Sequence, residues 1–83
     1  MANKLSAAVQ EDIRDRILHS NWVPPYRIDR RKYGTWYLVD RYGNAMYVVN
    51  LNGNSKQRNS QRKMYMRFVE RCTLERLILG EIQ

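Results

Sequence analysis

Few side chains in this sequence could perform acid–base or nucleophilic chemistry. The 83 residues include one histidine, His19, and one cysteine, Cys72. Catalysis requires an acid, base, nucleophile or metal ion held in a defined arrangement. His19 falls at the end of a predicted helix, where an imidazole acts as a cap or as a cation near the helix C-terminus. Cys72 falls in an apolar stripe, where a thiol packs as a small hydrophobic side chain. The sequence therefore predicts that the protein is not an enzyme.

The acidic residues do not form a recognisable metal or cofactor site. Glu11, Asp12 and Asp15 are closely spaced and share one face of a predicted helix. A divalent cation there would need ligands from a second element, so we interpret this face as solvated. A lone cysteine cannot build a Cys-based zinc site, and the Asn-Gly-Asn sequence of residues 52–54 is too short to enclose a phosphate. We expect no metal ion, no cofactor and no small-molecule substrate.

Positive charge is the strongest chemical signal in the sequence. Fifteen Lys and Arg residues oppose eight Asp and Glu residues, which gives a net charge of +7. Residues 21–71 hold eleven basic and three acidic residues, so the whole excess lies in that segment. Eleven of the fifteen basic residues are Arg, whose planar fork suits phosphate better than the ammonium group of Lys. This distribution predicts an acidic partner, and nucleic acid is the partner that we favour.

The candidate nucleic-acid-binding residues form three groups along the chain. They lie around the first predicted strand, in the segment leading into the second predicted helix, and along that helix: Arg27, Arg30, Arg31, Lys32, Lys56, Arg58, Arg62, Lys63, Arg67 and Arg71. Tyrosine and amide side chains are interleaved with them, namely Tyr33, Tyr42, Gln57, Asn59 and Gln61. Cations bind phosphates, amides contact phosphates or base edges, and tyrosines stack on unpaired bases. The pattern predicts an accessory or regulatory protein that binds DNA or RNA. The alternative interpretation is a charged surface that only keeps the chain in solution.

A protein-interaction module is the second function that the sequence suggests. Residues 74–79 are apolar almost all round a predicted helical turn, and Leu74, Leu77 and Ile78 are the candidate interface residues. A small chain without chemistry of its own can act as an inhibitor or adaptor, here by docking on an acidic surface of a nucleic-acid-processing protein. A simpler form of the same hypothesis is that these residues form the interface of a homodimer. The two functions are compatible, because a regulator can touch both an enzyme and its nucleic acid.

The element that precedes the basic segment is a predicted helix over residues 5–19. Apolar residues recur at every fourth position along it: Leu5, Val9, Ile13 and Ile17. This spacing places them on one side of a helix. Either Asn3 or Ser6 can cap its start, and the pair Pro24-Pro25 prevents helix from continuing further along the chain.

Three strands are predicted after the two prolines. Their β-branched and aromatic residues lie in three runs, over residues 26–31, 35–40 and 45–51. Residues 32–34 and 40–44 separate these runs as turns, and Gly43 falls where a hairpin turn needs a positive φ. Short turns between consecutive strands make them antiparallel neighbours. The sequence therefore predicts a three-stranded antiparallel β-meander.

Both faces of the predicted hairpin are apolar. Trp36 and Leu38 would lie on one face, and Tyr37 and Val39 on the other. A sheet with one face in water normally alternates apolar and polar residues. Either the helices lie on opposite sides of this sheet, or one face meets a partner.

The C-terminal third is predicted to be helical after a polar loop. Residues 52–60 contain no apolar side chain, so we expect a loop there. Ser60 can cap a helix that runs to about residue 71, and Thr73 can cap a further short helix over residues 74–79. The predicted class is α+β: an N-terminal helix, a three-stranded antiparallel meander and a C-terminal helix that is either continuous or broken near Thr73.

Length and hydropathy limit the organisation and setting of the chain. Residues 1–83 fit one small basic domain. No apolar run approaches the roughly 20 residues that span a bilayer, and the N-terminal residues lead into an amphipathic segment and not into an apolar signal sequence. A single cysteine fits a reducing compartment. We expect a soluble cytoplasmic protein that does not contact membranes.

Overall fold

The computed structural model describes residues 5–80. Within them the order of elements is α1 (Ala7–Leu18), β1 (Arg27–Arg30), a 3-10 turn (Lys32–Gly34), β2 (Trp36–Val39), β3 (Ala45–Val49) and α2 (Ser55–Gly80). This order confirms the predicted α+β class. Neither of the two helices is both long and apolar enough to cross a membrane.

Helix α1 begins where the sequence offers a hydroxyl cap. The Ser6 side chain accepts a hydrogen bond of 3.2 Å from the backbone N–H of Val9. This bond satisfies one of the free donors of the first turn. Asn3, the other predicted cap, lies outside the described residues. Ile13 and Ile17 are fully buried in the core, as the four-residue spacing predicts.

The three strands form one antiparallel sheet in the order β1–β2–β3, which confirms the meander. Ile28 of β1 pairs with Leu38 of β2, and Leu38 in turn pairs with Tyr47 of β3. The register between β2 and β3 shifts between Leu38 and Val39, which is the signature of a bulge. Within the described residues β2 is the central strand, and β1 and β3 are the two edges.

The turn between β2 and β3 is built around the carboxylate of Asp40, which is only 2% exposed. This carboxylate accepts backbone hydrogen bonds from Tyr42 at 3.0 Å, Asn44 at 2.9 Å and Val23 at 3.4 Å. Burial raises the pKa of the Asp40 carboxyl, but the hydrogen bonds outweigh burial, so its pKa lies below the ordinary value. Gly43 has a φ of +82°, as the predicted turn requires.

Both helices lie on the same side of the sheet. Helix α1 packs against α2, and residues from both helices, the strands and the adjoining segments share one core: Leu5, Ile13, Ile17, Tyr26, Ile28, Leu38, Met46, Val49, Tyr65, Val69 and Cys72. On the other face Ala45 and Val48 are exposed and Tyr37 is half-buried. The helices therefore do not lie on opposite sides of the sheet, which was one of the two arrangements that the sequence left open, and on the face without a helix Val39 is nevertheless fully buried.

Helix α2 begins earlier than the sequence pattern predicts. The N–H of Gln57 donates to Oδ1 of Asn54 at 2.9 Å, and the N–H of Asn54 donates to Oε1 of Gln57 at 2.8 Å. This reciprocal capping box starts the helix at Ser55, because it satisfies donors at the first turn that would otherwise face water. The predicted loop is therefore confirmed for residues 52–54 and wrong for residues 55–60, and the predicted cap at Ser60 is wrong.

Helix α2 also continues through Thr73. Thr73 Oγ1 donates to the carbonyl of Val69 at 2.7 Å within the same helix. A hydroxyl engaged in this way does not cap a new helix, and α2 is continuous to Gly80. Near this end Arg76 donates to the hydroxyl of Tyr26 at 2.6 Å and to the carbonyl of Trp22, so α2 is tied to the segment before β1.

Candidate nucleic-acid interface

A groove runs between β1, an edge strand, and the N-terminal half of α2. Its volume is about 520 Å³, and it is lined by Arg27, Ile28, Asp29, Asn59, Arg62, Lys63 and Met66. The two elements pack against each other here. This β1–α2 groove brings together cations from two of the three basic groups, which are far apart in the sequence.

A half-buried tryptophan holds two of the predicted arginines beside the groove. Arg30 lies opposite Trp36 in the β1–β2 register. The guanidinium carbon of Arg30 lies 5.8 Å from the centroid of the Trp36 ring, and that of Arg62 lies 5.1 Å from it. At these distances a cation is attracted to the electron-rich face of an indole. We call Arg30, Trp36 and Arg62 the Trp36 cluster; it positions arginines from β1 and from α2 on one aromatic ring.

Trp36 is a residue of the candidate site that sequence reasoning missed. The strand alternation placed Trp36 on one face with Leu38, which is correct for a residue that faces the helices. The alternation of the strand does not indicate which arginines would stack on the ring. Arg62 belongs to α2, and it lies near Trp36 only because α2 packs against the sheet. The only usable signal was the position of Arg30, which a meander with a short turn places opposite Trp36.

Few carboxylates neutralise this surface. Within residues 5–80 the ion pairs are Arg14–Glu75, with an N–O distance of 2.5 Å, and Arg27–Asp29, with an N–O distance of 3.0 Å. Arg27 is thus the only one of the ten predicted binding residues that is paired with a described carboxylate. Among residues 5–80, Asp29 is also the only acidic residue that lines the groove. The positive charges of Arg62 and Lys63 therefore face the groove without a carboxylate partner from the described chain.

The outer edge of β1 adds backbone hydrogen-bonding groups to the groove. The N–H of Arg31 donates to the carbonyl of Thr35 at 2.8 Å, so these two residues form a hydrogen-bonded pair. Such pairs alternate along an antiparallel ladder. The N–H and C=O groups of Ile28 and Arg30 therefore point away from β2, and within residues 5–80 no strand pairs with them. Ile28 is only 5% exposed, whereas Arg30 is exposed, so the groups of Arg30 are the ones open to a ligand at this edge.

Six of the ten predicted binding residues belong neither to the groove lining nor to the Trp36 cluster. The Arg31 guanidinium donates to the carbonyl of Gly43, and Lys32 is exposed in the 3-10 turn. Arg58 donates to the carbonyl of Gly53 at 2.6 Å and to Ser55, so it supports the start of α2. The remaining three lie on α2: Lys56 lines a separate groove, and Arg67 and Arg71 are exposed on later turns.

Two tyrosines named from the sequence project from the turns. Tyr33 is 98% exposed and Tyr42 is 70% exposed. Tyr33 has a φ of +64°, a conformation that is unfavourable for a bulky residue. A β-carbon on the next residue, Gly34, would lie 3.2 Å from Nη2 of Arg30. The turn that carries Tyr33 therefore adjoins the Trp36 cluster.

The predicted protein-interface residues are exposed at the end of α2. Leu74, Leu77 and Ile78 expose 60%, 56% and 58% of their surface. Leu79 beside them is also exposed. These four residues form an apolar surface on the last two turns of the helix, away from the residues that line the β1–α2 groove.

The groups that could react lie apart from one another. Cys72 is a buried free thiol, and burial raises its pKa, so it is held in the unreactive protonated form. His19 is exposed just after α1. Among the described residues no three His, Cys, Asp or Glu side chains are grouped so that they could hold a metal ion.

Comparisons of this chain with known protein families, with curated proteins and with solved structures give no match.

Proposed function

We propose that the protein is a non-enzymatic accessory or regulatory protein that binds nucleic acid through the β1–α2 groove and the Trp36 cluster. One observation carries the proposal. Arg62 and Lys63 of α2 line a groove beside Arg27 of β1, and the only carboxylate there among the described residues, Asp29, is already paired with Arg27. Concentrated positive potential is what distinguishes a binding surface from a merely solubilising one.

The chemistry of the groove fits a phosphate backbone. The guanidinium groups of Arg30 and Arg62 are pre-oriented by the Trp36 ring, so little side-chain freedom would be lost on binding. Lys63 adds an exposed point charge. Asn59 offers an amide that can contact a phosphate or a base edge. Both DNA and RNA present these groups. The free thiol of Cys72 fits a reducing compartment, and we propose the cytoplasm as the setting.

A matched pair of charge reversals tests this proposal. Lys63 and Arg71 are both exposed on α2, but only Lys63 lines the groove. Lys63→Glu and Arg71→Glu change the net charge by the same amount. In a fluorescence anisotropy titration with labelled oligonucleotides, we expect Lys63→Glu to weaken binding by about tenfold or more and Arg71→Glu by about threefold or less. Equal effects of the two variants would mean that total charge, and not the groove, sets the affinity.

The salt dependence of binding provides an independent measurement. Each neutralised phosphate contributes about −0.9 to the slope of log K against log salt on duplex DNA, and about −0.7 on a single strand. If the unmodified protein makes three or four contacts, we expect a slope of about −3 to −4 on duplex DNA and about −2 to −3 on a single strand. Lys63→Glu removes one contact, so the slope should become less steep by about 0.7 to 0.9. A slope near zero would contradict phosphate binding.

The exposed apolar end of α2 supports a second candidate function. Leu74, Leu77 and Ile78 are more than half exposed, and adjacent large apolar side chains on a surface commonly mark a protein interface. This function is a homodimer, or docking on the acidic surface of a larger nucleic-acid-processing protein, and it is compatible with an occupied groove. Sedimentation equilibrium over a range of concentrations tests the dimer. A self-association that Leu77→Glu abolishes would support it, and a monomer at all concentrations would exclude it.

A further inference from the structure

We infer that the ligand of the β1–α2 groove is a single nucleic-acid strand, and that Tyr33 stacks on one of its bases. This inference rests on the proposed function and deepens it. It concerns the form of the nucleic acid, which charge alone does not decide.

The shape of the groove favours one strand over two. Duplex DNA is read by elements that protrude into its grooves, such as a helix inserted into the roughly 12 Å wide major groove. Here the cations of Arg62 and Lys63 line an open groove of about 520 Å³ between a strand edge and a helix. The backbone of one strand can lie along this groove, and none of the described residues that line it belongs to an element inserted into a duplex groove in this way.

Tyr33 supplies the aromatic surface that single-strand binding uses. Its backbone has the unfavourable φ of +64°, and its side chain is 98% exposed. Packing of the ring in the core therefore does not offset the cost of this backbone conformation. Residues whose backbone strain is not offset by local packing are often found at binding sites. A ring held in the open can stack on a base regardless of its identity.

The positions of the charged residues connect Tyr33 to the groove. Arg30 reaches close to Gly34, the neighbour of Tyr33, and Arg30 and Arg62 both stack on Trp36. Arg62 then lines the groove. Arg30 and Arg62 thus lie one after the other between Tyr33 and the β1–α2 groove. This alternation of cation and aromatic ring is the arrangement by which proteins hold a strand with its phosphates on one side and its bases on the other.

An acidic peptide is the alternative occupant. The unpaired N–H and C=O groups of Arg30, which is exposed at the edge of β1, could pair with an added peptide strand. They can equally bind phosphates and unpaired base edges, which a duplex conceals. A peptide strand would not require the exposed ring of Tyr33, so the observations favour nucleic acid.

Binding to four probes tests the inference with the full chain. The probes are a labelled oligodeoxythymidylate and oligouridylate of about 12 nucleotides, a mixed-sequence duplex of the same length, and an oligoglutamate peptide. At about 50 mM and about 200 mM salt, the protein should bind the single strands about tenfold or more tightly than the duplex. The peptide should bind more weakly than either single strand.

Substitution of Tyr33 isolates the stacking contact. Tyr33→Ala removes the ring and should weaken single-strand binding by about 5- to 100-fold. Tyr33→Phe retains the ring and should stay within about threefold of the unmodified protein. Because Tyr33 is exposed, neither variant should lower the melting temperature, which circular dichroism verifies.

The results separate failure of the inference from failure of the proposed function. Equal affinity for duplex and single strand, or a Tyr33→Ala variant that binds single strands normally, would overturn the inference. The proposed function would still stand if Lys63→Glu weakened binding more than Arg71→Glu did. If those two variants behaved alike, or if the peptide bound most tightly, the proposed function would fail as well.

Discussion

Replacing Gly53 with alanine directly tests the start of α2, the helix that supplies half of the groove. Gly53 has a φ of +93°, and a β-carbon there would lie 2.0 Å from Oε1 of Gln57. That oxygen ends a flexible side chain, so Gln57 would turn away. It would then lose the hydrogen bond that it accepts from the N–H of Asn54. The substitution combines backbone strain with the loss of half of the capping box.

The two contributions can be added to an order of magnitude. Left-handed backbone costs a non-glycine residue about 1–2 kcal/mol, and one lost hydrogen bond costs about 0.5–1.5 kcal/mol. The free energy of unfolding should therefore fall by about 2–3 kcal/mol for Gly53→Ala. In a domain of this size that corresponds to a melting temperature lower by about 10–20 °C.

Urea and thermal unfolding followed by circular dichroism measure this effect, and Gly80→Ala is the matched control. A β-carbon at Gly80 would meet no atom within 4 Å, so alanine there should be neutral or slightly stabilising. In a Gln57→Ala background the cost of Gly53→Ala should shrink to the backbone strain alone. Equal effects of Gly53→Ala and Gly80→Ala would refute the capping geometry and restore a loop over residues 52–60.

Three further substitutions test other parts of the fold. The lowered pKa of Asp40 means that its carboxylate stabilises the fold above the ordinary pKa of 3.8 and that this contribution is lost as the pH falls through the lowered value. Asp40→Asn should therefore flatten the acid decline of the urea midpoint, and an unchanged decline would contradict this assignment. Thr73→Ala should change the free energy of unfolding by less than about 0.5 kcal/mol, whereas removing a true helix cap would cost about 1 kcal/mol. Arg76→Met removes the bonds to Trp22 and Tyr26 and should cost about 1–3 kcal/mol in urea unfolding, and a neutral result would show that these bonds are not formed.

The sheet was predictable because its determinants are local. Pro24 and Pro25 end the N-terminal helical region, and Gly43 marks a turn within an alternating apolar pattern, so the three strands follow in order. Whether the helices lie on one side of the sheet or on both was left open. Choosing between them requires knowing that α1 packs on α2, and the sequence pattern of each helix shows only that it has an apolar face.

The start of α2 was mispredicted although a signal for it exists. Asn54 and Gln57 have the spacing of a capping box, but the polar composition of residues 52–60 was interpreted as a loop. Ser60 was a second candidate for the helix cap, and the composition of the segment does not show which of the two candidates starts the helix. The hydrogen bonds between Asn54 and Gln57 decide between them.

The candidate site was predictable only in composition. The sequence named the basic residues but could not show that Arg27 and Lys63 would share a groove while Arg58 would be engaged at the helix start. That division arises from the packing of α2 beside the edge of β1. It has no counterpart in the spacing of charges along the chain.

Mapping the bound oligonucleotide by NMR tests the central claim most directly. In a ¹H–¹⁵N titration of the full chain with a single-stranded oligonucleotide, the largest backbone amide shifts should fall on β1, in particular Ile28 and Arg30, and on residues 59–63 of α2. The amides of Leu74 and Leu77 should move little. Shifts confined to the end of α2, or spread evenly over every basic residue, would contradict a ligand held in the β1–α2 groove.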